Sequence, residues 1–277
     1  MEELNNDELK NDSSEFDEEE LEIAHTDKLV GVFTEPSATF SDMAKTPAKA
    51  IDWLLPIIGI IVFTILSQYL LMSNPQIKYE TIEKQMTKME EAYKGMVDGG
   101  TMTQEQADQA LEAARTQMEN MSGGGIQVVL SGVGILFVTF ILFFVLAGVY
   151  FLLVKFVLSG DGTYASAMVA YGLPYYVLIL QVIVIVILSL SMNRMFTGVD
   201  VASFLDMDKS TFVGFLVSRL DIFSIWFYAL ISIGFAKMFK SESTVKYFIL
   251  IFGLWLGFGI VFHFITKAVP FLGMFVQ

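Results

Sequence analysis

The stretch from Ile126 to Ser191 limits what this chain can fold into more than any other. It holds two apolar runs joined by the turn Ser159-Gly160-Asp161-Gly162. Each run exceeds the roughly 20 residues that a helix needs to cross a bilayer, and the turn is too short to hold a further element. In lipid the backbone polar groups must be satisfied within each segment, so the pair is expected to form a helical membrane hairpin. Three more apolar windows are expected to dock around it. The fold class expected is an all-α integral membrane protein: a five-helix transmembrane bundle with spans at about 53–72, 133–158, 165–191, 220–238 and 245–265. A polar insert over 76–125 separates the first two spans, and the membrane domain as a whole runs over 53–277.

Charge is sorted in the same way. Only 17% of the 277 residues are charged, against about 25% in a soluble domain. The net charge of −13 is concentrated at the start, where the first thirty residues hold twelve acids against two lysines. That is neither a nucleic-acid footprint nor a signal peptide, which opens with basic residues. Residues 1–27 carry too little apolar surface to offset the entropy of ordering, and read as an acidic disordered tail. With no cysteine, disulfides, thiolate metal sites and cysteine nucleophiles are excluded.

Over 28–52, Phe33, Phe40, Met43 and Ala44 can share one face while Lys45 and Lys49 meet headgroups, which predicts a juxtamembrane helix lying on the membrane surface. In the insert, Ile82, Met86, Met89 and Tyr93 recur at helical spacing, as do Ala107, Leu111, Ala114 and Met118. Gly99-Gly100 separates the two series and Thr103-x-x-Gln106 opens the second as a capping box, so an extramembrane helical hairpin is expected. The insert's methionines suit adaptable packing or a partner surface better than a soft-metal site.

Ten positions stand out as bundle-interior or interaction candidates. Tyr171, Gly172, Pro174 and Tyr175 mark a kink in the third span, where proline frees a carbonyl and glycine admits a neighbouring helix. Gln181 is the strongly polar residue deep in that span and is expected to bond another helix. Arg219 and Asp221 fall at the boundary of the fourth span, with Asp221 as a helix cap, and Trp226 follows a turn later. Gly253-x-x-x-Gly257 in the fifth span predicts close helix contact within the chain rather than between copies. His263 is expected to be interfacial and structural. No window has an ionisable residue at its centre, which argues against an ion-coupled carrier. No Gly-x-Ser-x-Gly, His-Glu-x-x-His or Gly-x4-Gly-Lys-[Ser/Thr] pattern occurs, so no catalytic, cofactor-binding or metal residue is nominated.

The order of these features resembles the Yip-one domain family, named for membrane proteins that interact with Ypt/Rab GTPases. The resemblance covers about Val32 to Phe264. It rests on Phe33-Thr34-Glu35-Pro36-Ser37-Ala38-Thr39-Phe40, on Gly162-Thr163-Tyr164 through Ala170-Tyr171-Gly172-Leu173-Pro174, and on Leu220-Asp221-Ile222-Phe223-Ser224-Ile225-Trp226. The insert and the Phe33-x-x-Pro36 entry look more like bacterial members. Eukaryotic relatives are implicated in vesicle traffic and bind Rab proteins largely through N-terminal regions. This tail lacks their pattern, so the resemblance implies neither GTPase binding nor catalytic residues here.

The function expected is a non-enzymatic multi-pass membrane protein acting as an interaction or membrane-organising module. The alternative is a lipid or small-molecule transporter or channel whose path passes Pro174, Tyr175 and Gln181. Expected partners are the bilayer and a protein held by the insert or the tail, without nucleic acid or cofactor and with room for a homo-oligomer. Lys45, Lys49, Lys155, Lys237, Lys240 and Lys246 favour a cytoplasmic N-terminus with the C-terminus opposite, in a bacterial cytoplasmic membrane.

Overall fold

The computed structural model describes residues 23–121 and 125–269, and nearly all of them are helical. The N-terminal part holds α1 (His25–Thr34), α2 (Pro36–Met43), α3 (Ile51–Met72), α4 (Pro75–Asp98) and α5 (Gln104–Met121). Then come α6 (Gly125–Val157), α7 (Tyr164–Gly172), α8 (Tyr175–Met192), the short α9 (Val201–Phe204) and α10 (Phe212–Ser218), and finally α11 (Ile222–Met238) and α12 (Val245–Ala268). Most of the acidic tail, residues 1–22, lies outside the described residues, and the boundary drawn at Asp27 falls inside α1.

Among the described residues, four stretches are long and apolar enough to cross a membrane: Ile51–Met72, Gly132–Val157, Tyr164–Met192 and Val245–Ala268. The chain is thus an all-helical membrane protein, but the expected fourth span falls short. α11 has 17 residues, about 25 Å of helix against about 30 Å of hydrocarbon. Asp221 fixes its start as N-cap, and Lys240, in the left-handed region at φ 54°, stops it after Phe239.

This short helix is nonetheless more enclosed than any of the four spans. Phe227, Leu230, Ile231, Phe235, Ala236 and Met238 are all buried, and α2, α7, α8 and α12 pack around it. α3 runs along α8 and also meets α6 and α7, while α6 packs on α7. The two apolar runs that dominate the sequence therefore form one wall of the bundle, and α11 forms its axis.

The stretch 28–52 departs from the expected surface helix. It holds the end of α1, then α2, then a non-helical link into α3. The first two helices break at Glu35, whose φ of −137° and ψ of 60° lie outside the helical region. The physical reason is Pro36, which disfavours helical backbone in the residue before it and has no N–H to continue the ladder. The pair then docks on the bundle. Val32 and Phe40 are fully buried, and Phe33 meets Trp226 edge-on at 5.4 Å between ring centroids.

At Gly172, α7 comes close to α3. A Cβ there would fall 2.5 Å from the Cβ of Trp53 and 2.9 Å from its Cα, so a methyl group must push backbone apart. Gly172→Ala is expected to cost about 1–3 kcal/mol as an overpacked core substitution. Tryptophan fluorescence melts in detergent check this, and an unchanged midpoint would mean that α3 yields freely.

Candidate functional site

Two polar clusters lie inside this apolar frame. The first gathers around Asp52, in the opening turn of α3 and 2% exposed. Lys28 Nζ donates to both its oxygens, at 2.8 and 3.0 Å. His25 Nδ1 lies 3.0 Å from Oδ1, and His25 Nε2 lies 2.7 Å from the Tyr176 hydroxyl. A neutral imidazole protonated at Nδ1 donates to the carboxylate and accepts from the phenol; a charged one donates to both. A carboxylate at the start of α3 also meets the positive end of that helix. Next to Asp52, Trp53 stacks on Phe143 at 5.3 Å, near the middle of the Gly132–Val157 span.

Asp52 itself is the second residue of the Ile51–Met72 stretch, so its charge sits at one end of its own helix. The charges arrive on α1 and on the first turn of α3, which read as juxtamembrane in the sequence. The signal available was modest: His25 and Lys28 three residues apart, upstream of a lone acid that begins an apolar helix.

The second cluster closes the polar loop between α8 and α11. Asp221 is 5% exposed. Its Oδ1 accepts from the backbone N–H groups of Phe223 and Ser224, at 2.8 and 3.3 Å, and its Oδ2 accepts from Gln181 Nε2 at 2.8 Å. The helix cap and the interhelical bond expected for these residues are one constellation. Asp200 pairs with Asp221 as an isolated antiparallel bridge, caps α9 through the N–H of Ser203, and accepts from Lys209 Nζ at 2.7 Å. Burial pushes the Asp200 carboxyl up, but the bonds from Lys209 and Ser203 outweigh it and hold the group below its ordinary value. Its stabilising contribution is therefore present at neutral pH and is lost as pH falls through that lowered value.

Aromatic rings fill the space between the clusters. Pro174 splits the Tyr164–Met192 stretch between α7 and α8: it has no N–H for the Ala170 carbonyl, and the chain restarts with the Leu173 and Pro174 carbonyls accepting from the N–H groups of Tyr176 and Val177 at 3.3 and 2.9 Å. Tyr171 and Tyr175 are buried. Tyr171 stacks on Phe143 at 5.6 Å, and Tyr175 meets Phe227 edge-on at 5.5 Å. Rings thus occupy the ground where a conduit past Pro174, Tyr175 and Gln181 would run.

Gly253 and Gly257 do not behave as expected. Among the described residues, a Cβ at either would have nothing within 4 Å. The buried residues of α12 are Tyr247, Ile251, Gly259 and His263, which recur on a four-residue stripe that excludes both glycines. His263 is buried among Phe212, Phe215 and Phe264. Arg219 is half-buried, with its guanidinium over the Phe215 ring at 4.5 Å.

The model of the Yip1 domain matches residues 30–266. The chain belongs to the Yip1 domain family. No curated protein and no solved structure matches it. The Yip1 match includes Asp52, Tyr176 and the whole second cluster, whereas His25 and Lys28 lie just upstream. The first cluster therefore joins a segment ahead of the Yip1 match to the core of the domain.

Proposed function

We propose that this Yip1-family protein is a non-catalytic membrane module that recruits a protein partner through α4 and α5. The observation carrying this reading is the contrast between the bundle and that arm. In the bundle, the buried carboxylates Asp52, Asp200 and Asp221 are each engaged by cations, caps or an amide, which suits a scaffold. α4 and α5 pack against each other, with Ala92 and Ala107 buried. Met86, Met89 and Met96 remain partly exposed along α4. Such flexible, polarisable side chains suit an adaptable protein contact.

In this reading α4 and α5 form a hairpin outside the bilayer, and α11 makes a fifth crossing shielded by its neighbours. The N-terminus is cytoplasmic. Support comes from the end of the bundle where Lys246 Nζ donates to the Leu158 carbonyl at 3.2 Å; Lys155, Lys237 and Lys240 lie near the same turns. The Phe33-x-x-Pro36 entry and the insert suit a bacterial cytoplasmic membrane.

The start of α6 lies beside α3, since a Cβ on Gly132 would meet Ile65 Cδ1 at 3.2 Å. A short glycine-serine linker in place of 76–125 should therefore leave the bundle inserted and folded. Proximity labelling is expected to lose a specific set of neighbours in that variant. Identical neighbours with and without the arm would overturn the reading.

A further inference from the structure

Three cations sit on the loop and helix ends that lead into α11, and two of them are matched. Arg194 donates to the Ser203 carbonyl at 2.9 Å and lies 3.9 Å from Asp206. Lys209 is bound by Asp200, Ser203 and Thr197. Arg219 differs from both. Among the described residues its guanidinium has neither an ion pair nor a hydrogen bond, and its Nε is buried without an acceptor. The Nε of Arg194 is also buried without an acceptor, but Arg194 has partners at both terminal nitrogens and Arg219 has none. Asp221, two residues on, is unavailable because the N-terminus of α11 and Gln181 use its oxygens.

The seat around this group is shaped. Arg219 caps the C-terminal end of α10 and lies over Phe215 at 4.5 Å, with the Trp255 ring at 5.9 Å. Gly259 leaves it room, since a Cβ there would come within 3.0 Å of a guanidinium nitrogen. Around the seat the chain exposes apolar side chains: Phe212, Val213 and Leu216 on α10, and Phe258 and Phe262 on α12. A permanently charged fork of donors, half-buried without an anion and bordered by exposed rings, lacks one partner of definite chemistry.

We infer that Arg219, backed by Phe215, Trp255 and Gly259, is the seat of a phosphate group carried by a membrane lipid. The guanidinium donates two parallel N–H bonds to phosphate oxygens, and the acyl chains lie along the exposed rings of α10 and α12. A lipid is the favoured source because these apolar side chains give its chains a surface that free phosphate cannot use.

Native mass spectrometry of the detergent-purified full chain, titrated with phosphatidylglycerol, tests this. Arg219→Gln is expected to weaken the first lipid-binding step by about tenfold or more, while Arg219→Lys, a point charge without the fork, recovers part of it. Diacylglycerol with the same acyl chains should bind wild type as weakly as phosphatidylglycerol binds Arg219→Gln. Inorganic phosphate should not displace the lipid; displacement would make free phosphate the ligand and overturn the lipid assignment. Equal phosphatidylglycerol binding by wild type and Arg219→Gln, or equal binding of diacylglycerol and phosphatidylglycerol, would also overturn it. Should Arg219→Gln fail to fold, Gly259→Ala, which displaces the guanidinium while keeping its charge, is expected to weaken the same step; unchanged binding there counts against the seat.

Discussion

Replacing Asp52 with alanine is expected to destabilise the protein by about 3–5 kcal/mol, the range for breaking a buried ion pair from one side. The carboxylate is 2% exposed and Lys28 7%, so the ammonium left behind would be almost shut off from water and, among the described residues, would lose its ion-pair partner. His25 would also lose its Nδ1 partner, leaving only the Tyr176 hydroxyl. Asp52→Asn should cost less, because it still offers an oxygen to Lys28 and His25 although the charge is gone. The stronger test is a double-mutant cycle. Lys28→Met with Asp52→Leu removes both charges and keeps apolar volume, and should be markedly more stable than Asp52→Ala alone. Unfolding followed by tryptophan fluorescence in detergent reads each step, since Trp53 adjoins the mutated residue and Trp226 packs against α1 through Phe33. A loss below about 1 kcal/mol for Asp52→Ala would place the pair among solvated surface bridges and remove its role in holding the N-terminal helices.

Local signals carried much of the architecture. Thr103 and Gln106 form the reciprocal capping box that their spacing announces, with N–H to side-chain bonds of 3.0 and 3.2 Å. Asn74 caps the start of α4, and Pro174 breaks its span where a proline must. Such features depend on a few neighbouring residues, so they are visible in a single chain. The sites that link distant segments were hidden for the opposite reason. His25 and Tyr176 are 151 residues apart, and nothing in the periodicity of either helix says that they meet. Glycines show the same limit. Among the described residues a Cβ on Gly253 or Gly257 would meet nothing within 4 Å despite their familiar spacing, while one on Gly172, expected to admit a neighbouring helix, would meet Trp53 of α3, a partner the sequence did not single out. Which face of a helix meets a neighbour is a tertiary fact, and spacing alone does not supply it.

Asp221 is the residue whose two oxygens do different work, and Asp221→Ala should expose both effects together. Loss of an aspartate N-cap costs about 0.5–2 kcal/mol, and the N–H groups of Phe223 and Ser224 are the ones released. Stranding the Gln181 amide in the bundle adds about 1–3 kcal/mol, so the substitution is expected to cost about 1.5–5 kcal/mol in all. Asp221→Asn separates the terms. Asparagine keeps one oxygen for the helix N–H groups, and its amide nitrogen can donate to Gln181 Oε1 once the glutamine amide turns over. Its expected loss is therefore under about 1 kcal/mol, within the range of a single hydrogen bond. Gln181→Leu removes the donor and leaves the cap intact, and should fall between the other two. Because α11 is the axis on which α2, α7, α8 and α12 pack, all three variants should lower the same cooperative transition rather than fray one helix. If Asp221→Asn proved as damaging as Asp221→Ala, the negative charge itself, and not the pattern of hydrogen bonds, would be what holds the start of α11 in place.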